Sequence, residues 1–189
     1  MARVTVRAGG TGAGGLDAAA RPRATVNAAH LTGELFSDHA VRLIRLAVLL
    51  VGDQSSAEDV VQEAFLGLYR AVGRLKDPAN AVAYLRTSVL NGCRSVLRSR
   101  KRAGSLSAAT HDPPVWSAES AAIAGEDRRE VLAAVARLPR RQREVLVLRY
   151  YLNLSDQEIA VDLGVTRSTV ASTASRALVA LGRELGEQP

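Results

Sequence analysis

Residues 155–178, SDQEIAVDLGVTRSTVASTASRAL, constrain this chain most, because they spell two short helices around a tight turn. Ser155 followed by Glu158 is a capping box, in which each side chain satisfies a backbone donor left open at a helix start. Ile159 and Leu163 repeat at i, i+4, and Gly164 stops the helix where a left-handed residue costs least. Thr166 restarts the chain as a second cap, and Val170, Ala174, Ala177 and Leu181 form the next apolar stripe. Two helices about a turn of roughly four residues make a helix-turn-helix, whose second helix can lie in a DNA major groove. The same residues also fit an ordinary hairpin in a helical bundle, so the rest of the chain has to decide.

The 189 residues suffice for one domain or two small ones. Aromatics make up only 4%, while Ala, Val, Leu and Arg abound, which predicts an all-α fold packed through aliphatic stripes. A net charge of +6, carried almost wholly by arginine, and a pI near 10.2 suit a nucleic-acid binder, although anionic membranes attract the same charge. No apolar run approaches the ~20 residues of a membrane span, and residues 43–51, interrupted by Arg45, read as a buried helix. Residues 1–30 lack the apolar core of a secretory signal. Cys93 is the single cysteine, which fits a reducing cytoplasm and the role of a small buried hydrophobe. His30, His39 and His111 show no ligand spacing, so neither a metal nor any other cofactor is expected.

Residues 1–30 are rich in Gly, Ala and Arg and read as a disordered extension. GGTGAGG at 9–15 lacks the Gly-Lys-Ser/Thr of a phosphate loop. A first helical block follows, with an opening helix over 32–51 that ends at Gly52 and Asp53. Its second helix starts at Ser55 or Ser56 and runs to Val72, burying Val61, Phe65, Leu68 and Val72. The third starts at Asp77, with Pro78 at its first position, and carries Val82, Leu85, Val89 and Val96 inward as far as Arg100. Residues 103–126 break the pattern with Gly, Ser and Pro-Pro and read as a linker. A second block opens with helices over 128–138 and from Pro139, ahead of the helix-turn-helix.

Three surfaces carry chemistry. Asp59, Gln62, Glu63 and Leu66 line one side of the second helix, opposite Phe65 and Leu68. An acidic stripe with an apolar centre suits a basic partner helix, and equally a solvated face without any partner. On the third helix Thr87, Asn91, Arg94, Arg98 and Arg102 follow helical spacing, with Arg100 and Lys101 extending the cationic end. Those residues can hold phosphates and base edges, and Tyr84 can stack on an unpaired base; a basic last turn also simply suits the helix dipole. In the last helix Arg167, Ser168, Ala171, Ser172, Ser175 and Arg176 face outward, a cation-poor set that alone binds duplex DNA weakly. No Ser-His-Asp set, cofactor loop or catalytic carboxylate pair appears, which argues against an enzyme.

The segment at 57–102, AEDVVQEAFLGLYRAVGRLKDPANAVAYLRTSVLNGCRSVLRSRKR, resembles region 2 of bacterial sigma factors of the extracytoplasmic-function (ECF) type. LPRRQREVLVLRYYLNLSDQEIAVDLGVTRSTVASTASRAL, at 138–178, resembles their region 4. The resemblance implies two small helical domains, region 2 over 31–102 and region 4 over 127–189, joined by the linker 103–126. It implies that Asp59, Gln62, Glu63 and Leu66 bind the largest subunits of core RNA polymerase. It further implies that Asn80, Tyr84, Asn91, Arg94 and Arg98 capture the melted −10 promoter element, with the basic run after Arg98 on adjacent phosphates. The linker is implied to thread through the polymerase. The −35 element then falls to Arg143, Arg167, Ser168, Ser172, Ser175 and Arg176, with Arg140 and Arg141 on the same side and Tyr150 and Tyr151 in the core. Relatives of this type often carry a cation where Ala171 and Thr173 stand, and a glycine at Ser168, so −35 contacts here are expected to be weaker or differently specific. An anti-sigma partner is common in the family, although nothing in this sequence encodes one, and the ending SxASRALxxL is shared with actinobacterial members. Two other readings predict different behaviour: a dimeric duplex-DNA regulator has no use for Asp59 and Glu63, and a sigma-like decoy binds polymerase without opening promoters.

Overall fold

The computed structural model describes residues 20–71, 80–104 and 126–186, and all secondary structure among them is helical. The helices are α1 (Ala20–Val51), α2 (Gln54–Ala71), α3 (Ala81–Gly104), α4 (Glu126–Arg137), α5 (Arg140–Leu146), α6 (Asp156–Leu163) and α7 (Arg167–Glu184). A π-helical turn, Val147–Tyr151, continues α5 without a break. The expected all-α fold is therefore present. The glycine loop at 9–15, the start at Asp77 and Pro78, and the linker between 105 and 125 lie outside the described residues.

In α1, Ala40, Leu43, Leu46, Ala47, Leu50 and Val51 recur at helical spacing and are buried, which drives that face inward. The helix begins twelve residues before Thr32, at Ala20, so residues 20–30 of the predicted N-terminal extension are helical instead. It ends at Gly52, whose φ of 91° lies in the left-handed region and whose N–H returns to the Val48 carbonyl at 2.9 Å. Asp53, not Ser55 or Ser56, then caps α2: its carboxylate accepts from the Ser56 N–H at 2.9 Å. Ala57, Val60, Val61, Ala64, Phe65 and Leu68 form the buried face of α2, and Ala81, Leu85, Val89, Leu90 and Cys93 that of α3. Cys93 is a buried thiol, pushed up to about 12 by burial and by the nearby Glu144 carboxylate, which makes it inert. Gly92 permits the close approach of α2 and α3, since a Cβ there would stand 2.7 Å from a methyl of Val60.

The C-terminal unit follows its sequence closely. Ser155 and Glu158 form the reciprocal capping box, and Gly164 (φ 65°) ends α6. Thr166 accepts from the Thr169 N–H and starts α7, whose Val170, Ala174 and Ala177 are buried. The π turn was not legible in VLRYY. It shifts the register so that Tyr150 is 59% exposed, against the expectation of a core position. Tyr151 stays half-buried and donates to the Arg42 carbonyl of α1 at 3.3 Å. Buried side chains of the two units join in one apolar cluster that runs from Leu43 and Leu85 to Leu148, Ile159 and Val170.

Candidate nucleic-acid interface

Asp59, Gln62, Glu63 and Leu66 all stand exposed on α2, so the structure keeps them together as one surface. Leu66 and the neighbouring Tyr69 place apolar area beside the carboxylates, while among the described residues Glu63 pairs with exposed Arg70. The opposite side of the helix, through Phe65 and Leu68, is committed to the core. Phe65 is fixed there by edge contact with Phe36, ring centroids 5.0 Å apart. The stripe is thus free of structural duty.

The α3 surface is divided. Asn80, Asn91, Arg98, Lys101 and Arg102 are exposed, and Arg98 has no hydrogen bond or ion pair among the described residues. Tyr84 is half-buried, its hydroxyl packed towards Gly67 of α2, rather than standing clear as a stacking platform. Arg94 is committed elsewhere: its guanidinium holds Glu144 of α5 in a fork, at 2.9 and 3.1 Å, and reaches Asn91 at 3.3 Å. Arg100 is engaged as well, donating to the Val51 carbonyl and the Ser56 hydroxyl, each at 2.7 Å, and pairing with Asp53. It ties the end of α3 to the α1–α2 turn and is lost to the phosphate-binding run.

On α7, Arg167, Ser168, Ser172, Ser175 and Arg176 share an exposed side. Arg167, at the N-terminal end, has no hydrogen bond or ion pair among the described residues. Ser172 and Ser175 donate back to the carbonyls of Thr169 and Ala171, each at 3.2 Å, which leaves their oxygen lone pairs pointing outward as acceptors. Ala171 is exposed with them, but Thr173 is buried, so a cation at that position would not reach a groove.

Arg143 departs from expectation. Its side chain turns inward and donates to the carbonyls of Leu50, at 3.0 Å, of Leu138, at 3.2 Å, and of Ala136. Burial pulls its guanidinium below the ordinary value, opposed by the Glu144 charge beside it. Arg143 is a structural bolt between the units, and its side chain does not stand on the exposed side shared by Arg167 and Arg176. Arg140 and Arg141, although partly exposed, both pair with Glu144. The sequence offered no sign of this, because the carboxylate and carbonyls concerned belong to other elements.

Residues 35–103 match the Sigma-70 region 2 family and residues 128–181 match Sigma-70 region 4. The chain is similar to the ECF RNA polymerase sigma factor SigL of Mycobacterium tuberculosis, with 34% identity over 164 residues, 84% of this chain and 91% of the relative. It is 34% identical over 143 residues to the RNA polymerase sigma-E factor of Streptomyces coelicolor, covering 76% of this chain and 79% of that one. A probable RNA polymerase sigma factor, RfaY of Xanthomonas campestris, is 28% identical over 87% of the chain, which spans only 42% of that longer relative. The fold is shared with the sigma factor RpoE of Bartonella quintana in complex with the anti-sigma factor NepR, at a TM-score of 0.68 and 24% identity over 83% of this chain and 97% of the other. Two matched regions in the right order, over more than half of its residues, place the chain in the sigma-70 family of RNA polymerase sigma factors, among those of the ECF type.

Proposed function

We propose that this chain binds core RNA polymerase and directs promoter-specific initiation of transcription, acting in the cytoplasm by binding and not by catalysis. The observation that carries the reading is the exposed stripe of Asp59, Gln62, Glu63 and Leu66 in the same chain as a capped helix-turn-helix. The stripe engages the largest polymerase subunits, its carboxylates steering a basic partner and Leu66 filling an apolar seat. Asn80, Asn91 and Arg98, which stand exposed, capture the melted −10 strand, and Tyr84 and Arg94 join them only on leaving Gly67 and Glu144. Arg167, Ser168, Ser172, Ser175 and Arg176 read the −35 duplex, phosphate grip and base readout both starting from Arg167. The solved structure of RpoE holds the anti-sigma factor NepR and that of CnrH the cytosolic domain of CnrY, and an anti-sigma partner is extended to this chain as well.

Association with purified core polymerase tests the docking claim. The double variant Asp59→Ala/Glu63→Ala is expected to weaken binding by about tenfold, about 1.4 kcal/mol, with the melting temperature unchanged because neither side chain packs in the core. Equal affinity of variant and wild type would remove the stripe from the interface.

A further inference from the structure

Most described cations either hold a carboxylate or stand on a surface already read as facing DNA. Arg86 pairs with Asp162 of α6, Arg94 with Glu144 of α5, Arg100 with Asp53, Arg137 with Glu184 and Arg149 with Asp156. Arg98, Lys101 and Arg102 are exposed at the end of α3, and Arg167 at the start of α7. Arg42 and Arg45 of α1 fit neither group. Both are exposed, and neither has a carboxylate partner among the described residues. Their i, i+3 spacing puts them on one side of α1, beside Val41, which is 61% exposed. Glu34 and Asp38 lie on that side too, towards the N-terminus, so the charge changes sign along α1 and its cationic part adjoins the π turn.

Arg42 is fixed at that contact. Its guanidinium donates to the Leu152 carbonyl at 3.1 Å, and its own carbonyl accepts from the Tyr151 hydroxyl at 3.3 Å. Most of its N–H groups stay free, and Arg45 has none engaged among the described residues. Burial pushes the Tyr151 phenol up, opposed by the charges of Arg45 and Arg42 beside it. The phenol is therefore uncharged at neutral pH and does not neutralise them. A guanidinium already held in place loses less freedom on binding an anion than one on a mobile stem. Next in the chain stands Tyr150, at 59% the most exposed aromatic ring among the described residues, turned outward by the π turn. Widened turns of this kind recur at functional sites.

We propose that Arg42, Arg45 and Tyr150 form a further nucleic-acid contact, in which the two guanidiniums hold phosphates of a single strand and the Tyr150 ring stacks on a base. Guanidiniums present paired donors that match phosphate oxygens. Cations beside an aromatic face hold single strands without regard to sequence. A duplex keeps its bases stacked inside and offers Tyr150 nothing. The contact lies outside the α3 and α7 surfaces, so its test is independent of the −10 and −35 assignments.

Binding of the full chain to a fluorescein-labelled thymidine oligomer of about 20 nucleotides, followed by anisotropy over a range of salt, tests it. Arg42→Gln/Arg45→Gln is expected to weaken binding at least tenfold and to make the slope of log K against log salt shallower by about 1.4, at about 0.7 for each phosphate lost. Arg45→Gln alone is expected to take about half of that change at an unaltered melting temperature, which keeps the test decisive if the loss of Arg42 loosens the contact with Leu152. Arg70→Gln/Arg137→Gln, an equal change of charge at exposed paired sites, is expected to leave the slope as in wild type. Tyr150→Ala is expected to weaken binding of the thymidine oligomer about tenfold at unchanged slope, and to leave binding of a duplex unaltered. The same losses on a uridine oligomer would extend the contact to RNA, and losses on thymidine alone would assign it to DNA. An unchanged slope in both Arg45→Gln and the double variant, or an equal change in Arg70→Gln/Arg137→Gln, would overturn the contact. Wild-type affinity in Tyr150→Ala would overturn the stacked single strand.

Discussion

Asp53 sits in the turn between α1 and α2, where it caps α2 and receives Arg100 from the far end of α3. Burial opposes its charge, but the Ser56 N–H, the Arg100 guanidinium and the Ser56 hydroxyl together hold its carboxyl below the ordinary 3.8. Its stabilising contribution is therefore complete above pH 3.8 and is lost as the pH falls through the lower folded-state value. Asp53→Ala is expected to cost about 1 kcal/mol at neutral pH, and the gap between variant and wild-type melting temperatures should narrow below about pH 4. A gap that does not change with pH would show that the cap acts without its charge. The sequence pointed to Ser55 or Ser56 because SSAED offers overlapping local caps; the choice fell to Asp53 through an arginine 47 residues away. Ser155 and Glu158, by contrast, complete their box within four residues, and there the sequence alone was sufficient.

Elements were legible wherever a local period decided them. Val61, Phe65 and Leu68 of α2 and Leu85 and Val89 of α3 are buried as their spacing implied, as are Ile159 and Leu163 of α6 and Val170, Ala174 and Ala177 of α7. Val82, Val96 and Leu181 are only half-buried, and Val72 lies outside the described residues. Missed were the early start of α1 and the π turn, the latter because five consecutive residues of mixed character carry no periodic sign of a widened turn. Gly92 was equally silent, since its meaning lies in Val60 of another helix. Gly92→Ala is expected to drive α2 and α3 apart and to destabilise by about 1–3 kcal/mol in chemical denaturation, the β-branched valine having little freedom to yield. A stability equal to wild type would mean that the crossing is looser than described. For α7, Arg167→Ala is expected to weaken promoter binding by about 1–3 kcal/mol and to relax sequence choice, while Arg176→Ala weakens it uniformly. Filter binding on a panel of altered −35 sequences distinguishes the two; identical profiles for both variants would contradict Arg167 as a base reader.

At the scale of the molecule, the family was legible from two segments in the right order, and the residues matched by the two regions bear that out. What no local pattern could reveal was the packing of one unit on the other. Arg86 and Asp162 stand 76 residues apart, and Arg94 and Glu144 50, with no periodicity linking either pair. For that reason Arg94 read as free for DNA and Arg143 as facing solvent, although both are occupied between units. The central claim is that α2 recruits polymerase while α3 and α7 select and open the promoter. Run-off transcription from a library of promoter fragments tests it directly, comparing core polymerase alone, core with this protein, and core with Asp59→Ala/Glu63→Ala. Promoter-dependent transcripts are expected only when the protein is added, and at least tenfold fewer with the double variant. No transcript above core alone, from a core preparation that transcribes with another sigma factor, would contradict it.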